Sequence, residues 1–258
     1  MVMKHTILSR KELDILEKII SNSGNIAYFE AIKKLLGKDY SYDELRKEIS
    51  LLSKRGWLVR IKRGVFAVAS LESHNFSNIS PLVIAQAFVP NSYVSFEFAL
   101  GNHGLFDQLP KKVTSVNPLK PKKFTFQETD YQFLKIKPEF YFGYQEILIN
   151  GQKANIAELE KIILDYLYFR NDAYSVDLLL EKLKEGRSSF DFDKLQKYGL
   201  RYPLFVKRRL GFILDLIGID SGKLHQETSK KSGYSKLTKN SQKFIAKWRL
   251  YYEDRFAK

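Results

Sequence analysis

The spacing of apolar and polar positions changes character twice along the chain. Leu13, Leu16, Ile19 and Ile20 recur at helical intervals before Gly24, and Ser9 with Glu12 predicts the capping box that opens this helix. Ile26 to Leu36 reads as a second helix stopped by Gly37. A third begins after Ser41, whose spacing to Glu44 again suits a capping box. At about 100° per residue, Leu45, Ile49 and Leu52 share one face of it, and Arg46, Lys47, Ser50 and Lys54 gather on the other. Gly56 ends the helix, and Trp57 to Ile61 and Val65 to Val68 flank Lys62-Arg63-Gly64, the pattern of a hairpin with a cationic turn. Three helices and a hairpin within about 70 residues follow the order of a winged helix-turn-helix.

Leu71 to Ser80 is polar and aperiodic and reads as a linker, so a DNA-binding domain over 1–70 is expected to precede a second domain over 80–258. Ser80-Pro81 is an N-cap and first-turn pair for the next helix, and Tyr93-Val94 is a short strand running into Ser95, an N-cap for Phe96 to Asn102. β-type runs follow at Val113 to Val116, Phe124 to Gln127, Tyr131 to Ile136 and Glu146 to Ile149, the last ended by Asn150-Gly151, a type I′ turn signal. From Ile156 the period becomes helical, and Leu159, Ile162, Ile163, Tyr166 and Leu167 nearly surround the axis, which predicts a helix central to the core. Further helices are expected after Ser175, Asp191 and Pro203, and Trp248 to Tyr252 is either a final strand or a helix end. The expected class is α+β: a winged helix-turn-helix, then a mixed domain with a small antiparallel sheet and several helices.

Charge sharpens this picture. The 258 residues carry a formal net charge of +14, which points to an anionic partner, nucleic acid first and an acidic protein second. A basic helix face followed by a hairpin bearing Arg60, Lys62 and Arg63 suits duplex DNA, with the helix in the major groove and the wing on phosphate. Without cysteine there is no disulfide, thiolate metal site or cysteine nucleophile. The N-terminus does not read as a signal peptide and no apolar run approaches the roughly 20 residues of a membrane span, so a cytoplasmic location is expected.

The order of several short motifs resembles that of the AbiEi antitoxins of type IV toxin–antitoxin systems. They are Leu58 to Phe66 as the wing; Tyr93-Val94-Ser95 with Ala99-Leu100 and His103-Gly104-Leu105; Ile156-Ala157 with Glu160-Lys161 and Leu164-Asp165; Arg208 to Phe212; and Lys247 to Leu250. The Ser/Lys-rich stretch before Phe244 departs from the family pattern. The resemblance implies a winged-helix regulator that binds inverted repeats in its own promoter and represses its operon. It also implies a C-terminal antitoxin domain that counteracts a cognate nucleotidyltransferase-like toxin, with or without stable contact, in abortive infection as a phage defence.

Candidate chemistry is sparse. His5, His74, His103 and His225 lack metal-ligand spacing, and Glu160 and Asp165 fall on different helix faces, a poor arrangement for paired carboxylates. Phosphate loops, nucleophile elbows and HExxH are absent from the sequence, so no enzyme activity, cofactor or metal is expected. Lys207, Arg208 and Arg209 lie within about one helical turn and are the expected antitoxin surface, with a solvated rim as the plainer reading. The aromatics of the second domain read as core and cross-strand pairs, base stacking being their other use. A nucleic-acid enzyme targeted by the winged module and a ligand-sensing regulator stay open as alternatives.

Overall fold

In the computed structural model, which describes residues 7–71, 74–76, 79–108 and 110–256, the chain divides into two units. The first holds Met1–Ser92 with Phe124–Tyr131 and Glu146–Asn155; the second holds Tyr93–Lys123, Gln132–Gln145 and Ile156–Lys258. The chain passes between these units five times.

The first unit is built on α1 (Arg10–Ser23), β1 (Ile26–Tyr28), α2 (Phe29–Leu36), α3 (Tyr42–Lys54), β2 (Leu58–Lys62) and β3 (Val65–Val68). Both predicted capping boxes form: Ser9 and Ser41 accept from the backbone N–H of Glu12 and Glu44, whose carboxylates accept in return from the cap N–H. The second helix is shorter than the sequence suggests. Ile26 to Tyr28 pairs antiparallel with β3 instead, giving sheet order β1-β3-β2, because Ile26 and Ala27 are buried as a strand opposite Ala67 and Phe66. Ile15, Leu16, Ile19, Ile32, Leu36, Leu45, Leu52 and Trp57 form the core between helices and sheet. The described part of the expected linker packs on this unit: the His74 ring lies 4.1 Å from that of Trp57, and Phe76 adjoins the core. Glu72, Ser73, Ser77 and Asn78 of that linker, and His5, lie outside the described residues.

α4 (Pro81–Phe88), capped by Ser80, completes the unit together with two hairpin tips. Phe88 stacks on Phe124 at 4.3 Å, Phe76 meets Phe126 at 6.2 Å, and the Gln152 side chain donates to Ser23 O.

A six-stranded sheet of order β6-β7-β5-β4-β9-β8 comprises β4 (Tyr93–Val94), β5 (Lys112–Asn117), β6 (Lys122–Phe126), β7 (Thr129–Lys135), β8 (Tyr144–Ile149) and β9 (Gln152–Ala157). The α+β class is as expected, but this sheet is mixed: β4 runs antiparallel to β5 and parallel to β9, with Val94 opposite Ile156. Ile156 therefore belongs to strand β9, and the central helix α6 (Leu159–Phe169) starts three residues later, buried almost all round. Asn150 and Gly151 both take positive φ in the predicted turn.

α5 (Phe96–Asn102), α7 (Ala173–Glu185), α8 (Phe192–Gly199), α9 (Leu204–Leu216) and α10 (Gly222–Ser229) complete the helices of the second unit. Asp172, not Ser175, caps α7, and Asp191 caps α8 as expected. Trp248 to Tyr252 resolves into a strand, β12 (Leu250–Tyr252), which joins β10 (Ser235–Lys236) and β11 (Lys243–Ile245) in a separate three-stranded sheet of order β10-β12-β11.

Candidate nucleic-acid interface

The cap at Ser41 sets where α3 begins, and burial of Leu45, Ile49 and Leu52 sets which way it turns. Arg46, Lys47, Ser50 and Lys54 are consequently exposed on the opposite face. Phe29 N donates to Gly64 O at 2.8 Å, tying the wing to the start of α2, and Gly64 takes φ +73°, a left-handed conformation that glycine adopts without strain.

Between α3 and the wing lies an open cleft of about 950 Å³ lined by Arg46, Ser50, Arg60, Lys62 and Arg63 together with Tyr28 and Tyr42. Five of the seven expected contact residues thus meet around one cleft. Lys47 and Lys54 stay on the exposed helix face outside it. Lys62 needs correction as a phosphate grip, because it is half-buried and its ammonium donates to Phe88 O at 3.0 Å, at the C-terminal end of α4. Arg63 is the exposed cation of the turn itself.

The tyrosines Tyr28 and Tyr42 add exposed rings to this cleft that the periodicity does not single out. Tyr42 is 51% exposed, with the Arg46 guanidinium and the Lys33 ammonium each 5.6 Å from its ring centre and Phe29 edge-on at 5.8 Å. Its i,i+4 spacing to Arg46 was a usable signal. Tyr28 reaches the cleft because Ile26–Tyr28 is a strand paired with β3, not the helix that the period predicts.

The expected antitoxin surface is overturned by burial. Arg208 is 1% and Arg209 9% exposed. Arg208 donates to Lys231 O and Ser232 O, and Arg209 to Lys236 O, Leu167 O and Arg170 O. Backbone carbonyls, not acids, take the bonds of these guanidiniums, with Arg208 Nε left buried and without a partner among the described residues, so a cluster of cations in sequence does not have to be a surface. Burial pushes the Arg209 guanidinium down to about 10, which leaves it protonated at neutral pH. Lys207 is half-buried with Glu227 at 4.0 Å.

The other motifs of the C-terminal part also meet inside it. Ser95 Oγ donates to Asp165 Oδ2 at 2.8 Å and Tyr93 OH to Oδ1 at 3.3 Å, while the fully buried Lys161 ammonium pairs with the same carboxylate. Tyr93, Tyr202 and Phe142 present their rings to that ammonium at 5.0 to 6.0 Å. Burial pushes the Lys161 ammonium down and the Asp165 carboxyl up, each opposed by the other's charge. Ser95 therefore serves this network and makes no side-chain cap on α5. Glu160 instead accepts from Asp191 N and pairs with Lys194. His103 bonds Ala157 O at 2.8 Å, and His225 lies edge-on to Trp248. Among the described residues no cluster of three or more His, Asp or Glu could hold a metal, and no helix is long and apolar enough to cross a membrane.

The topology α1-β1-α2-α3-β2-β3, with β1 and β2 on either side of β3, defines a winged helix-turn-helix module. Residues 14–69, from within α1 to just past β3, match the model of a family described as "Transcriptional regulator, AbiEi antitoxin", so the resemblance is borne out over that segment. The whole fold is similar to the crystal structure of the RV2827C protein from Mycobacterium tuberculosis, with a TM-score of 0.69 and 12% identity over 96% of this chain and 92% of that one. No curated protein matches the chain.

Proposed function

We propose that the protein is a transcriptional autorepressor whose winged module binds inverted repeats in duplex DNA of its own promoter. The observation that carries this reading is the cleft between α3 and the wing, where Arg46, Arg60 and Arg63 converge on a module matching the AbiEi regulators. In this reading Arg46, Lys47, Ser50 and Lys54 face the major groove, and Arg60 and Arg63 hold phosphate. The AbiEi resemblance adds an antitoxin role for the C-terminal part against a nucleotidyltransferase-like toxin, through a surface other than Arg208 and Arg209.

A mobility shift on the promoter region tests the first part, and no shift at low salt would sink it, since phosphate contacts are strongest there. Arg63→Ala is expected to weaken binding to every sequence alike and to lower the salt slope by about one. Arg46→Ala is expected to relax specificity at one base pair, at roughly 1–3 kcal/mol. Equal, sequence-blind losses at both positions would refute this division of labour. Growth rescue on co-expression with the neighbouring toxin gene tests the antitoxin part.

A further inference from the structure

The small C-terminal sheet presents a face that neither the winged module nor the core uses. Lys236, Tyr251 and Phe244 stand opposite one another across β10, β12 and β11, so their side chains share one face. Tyr234, just before β10, sets its ring against Tyr251 on this face, and Arg249, just before β12, is exposed and donates from Nε to Gly233 O. Its rings adjoin: Tyr234 and Tyr251 are 5.2 Å apart at 82°, and Tyr251 and Phe244 are 5.0 Å apart at 53°. None stacks flat on its neighbour, and the outer two remain 68% and 49% exposed. The other face is the packed one, with Leu250 wholly buried and Tyr252 against Phe212.

Charge surrounds the aromatic row. Residues 222–258 hold ten lysines and arginines against three acids, an excess of +7 that is half of the chain's +14. Several of these cations pair with acids elsewhere, but Lys236 on this face, Arg249 just before β12, and Lys230 and Lys231 just before Tyr234 are exposed and form no ion pair among the described residues. Exposed rings on a sheet, flanked by unneutralised cations, match a polymer with flat apolar faces and a regular negative charge. Unstacked bases on a phosphate backbone have that chemistry; the paired bases of a duplex do not expose their faces.

We infer that this sheet face binds single-stranded nucleic acid, with bases lying on Tyr234, Tyr251 and Phe244 and phosphates near Lys236 and Arg249.

The test is fluorescence anisotropy of a labelled oligouridylate of about 12 nucleotides, a length within the usual site size of such platforms, titrated with the full-length protein at low salt. Arg46→Ala/Arg63→Ala should bind it like the unmodified protein. Tyr234→Ala/Phe244→Ala removes two exposed rings, so circular dichroism should be unchanged while affinity falls about tenfold or more. Tyr234→Phe should keep the affinity, because stacking needs the ring and not the hydroxyl. Binding that is absent at low salt, or unaltered in the double alanine variant, would overturn the inference. So would displacement of the RNA by a polyglutamate peptide as effective as unlabelled oligouridylate, which would mark a surface for acidic protein.

Discussion

Arg208 and Arg209 are buried cations whose counterparts are carbonyl oxygens at the ends of other segments, and this makes them structural keystones of the second unit. Replacing Arg209 by methionine keeps most of the volume but strips donors from Lys236 O, Leu167 O and Arg170 O. The expected loss is on the order of 3 kcal/mol in urea unfolding, the range for orphaned buried polar groups; an unchanged midpoint would contradict it. Asp215 gives a pH signature. Burial alone would raise its carboxyl, but hydrogen bonds from Lys247, Ser221 Oγ at 2.5 Å and Trp248 Nε1 at 2.7 Å outweigh that and hold it below the usual carboxylate range. A carboxyl whose folded pKa is depressed contributes stability that is complete above its unfolded pKa of about 3.9 and vanishes as pH falls through the lower folded value. Asp215→Asn should therefore be less stable than the parent at neutral pH, and the gap should close below about pH 4. Acid titrations of both proteins, followed by unfolding at each pH, would show a constant gap if Asp215 were inert.

At the scale of elements, signals carried by neighbouring residues were legible and those completed from afar were not. The capping boxes of α1 and α3, the apolar face of α3 and the Asn150-Gly151 turn each depend on a few adjacent residues. β1 exists because β3 pairs with it, and Ile156 is in a strand because β4 lies beside it, so periodicity read both as helix. The cleft residues on α3 were readable from the helix period, while the partner of Lys62, Phe88 O, comes from 26 residues on. The motifs that carried the family resemblance were visible as strings, but not as the pairs they form: Tyr93 and Ser95 with Lys161 and Asp165, and Gly211 with Trp248. That last pair explains its glycine. A Cβ on Gly211 would sit 2.1 to 2.5 Å from three indole carbons of Trp248, which is 1% exposed. Gly211→Ala is expected to push the indole out of its seat against α9 and break its bond to Asp215. The expected outcome is a loss of about 3 kcal/mol with a shifted tryptophan emission maximum. Emission and stability like the parent's would show that the helix can move aside instead.

On the scale of the whole molecule, the sequence suggested two separable halves joined at residues 71–80, and the interleaved path of the chain changes what a cut there should do. The winged core closes within α1 to β3, so a fragment of residues 1–75 retains the cluster from Ile15 to Ala69 and is expected to fold. It nevertheless loses α4, and with it the carbonyl that holds Lys62. The complementary fragment from Ser80 keeps Phe124–Tyr131 and Glu146–Asn155 but lacks the body of the unit to which they belong. Phe126 loses Phe76, and Gln152 loses the Ser23 carbonyl. Apolar surface uncovered in this way favours association and local opening. The prediction is that residues 1–75 give a cooperative melt and bind DNA. Residues 80–258 should melt several degrees below the full-length protein, as a loss of one or two kcal/mol would produce in a chain of this size, and should run larger than monomer on size exclusion. Equal melting temperatures and a monomeric C-terminal fragment would show that the later segments make no stabilising contribution through the first unit, and that residues 71–80 are a true tether.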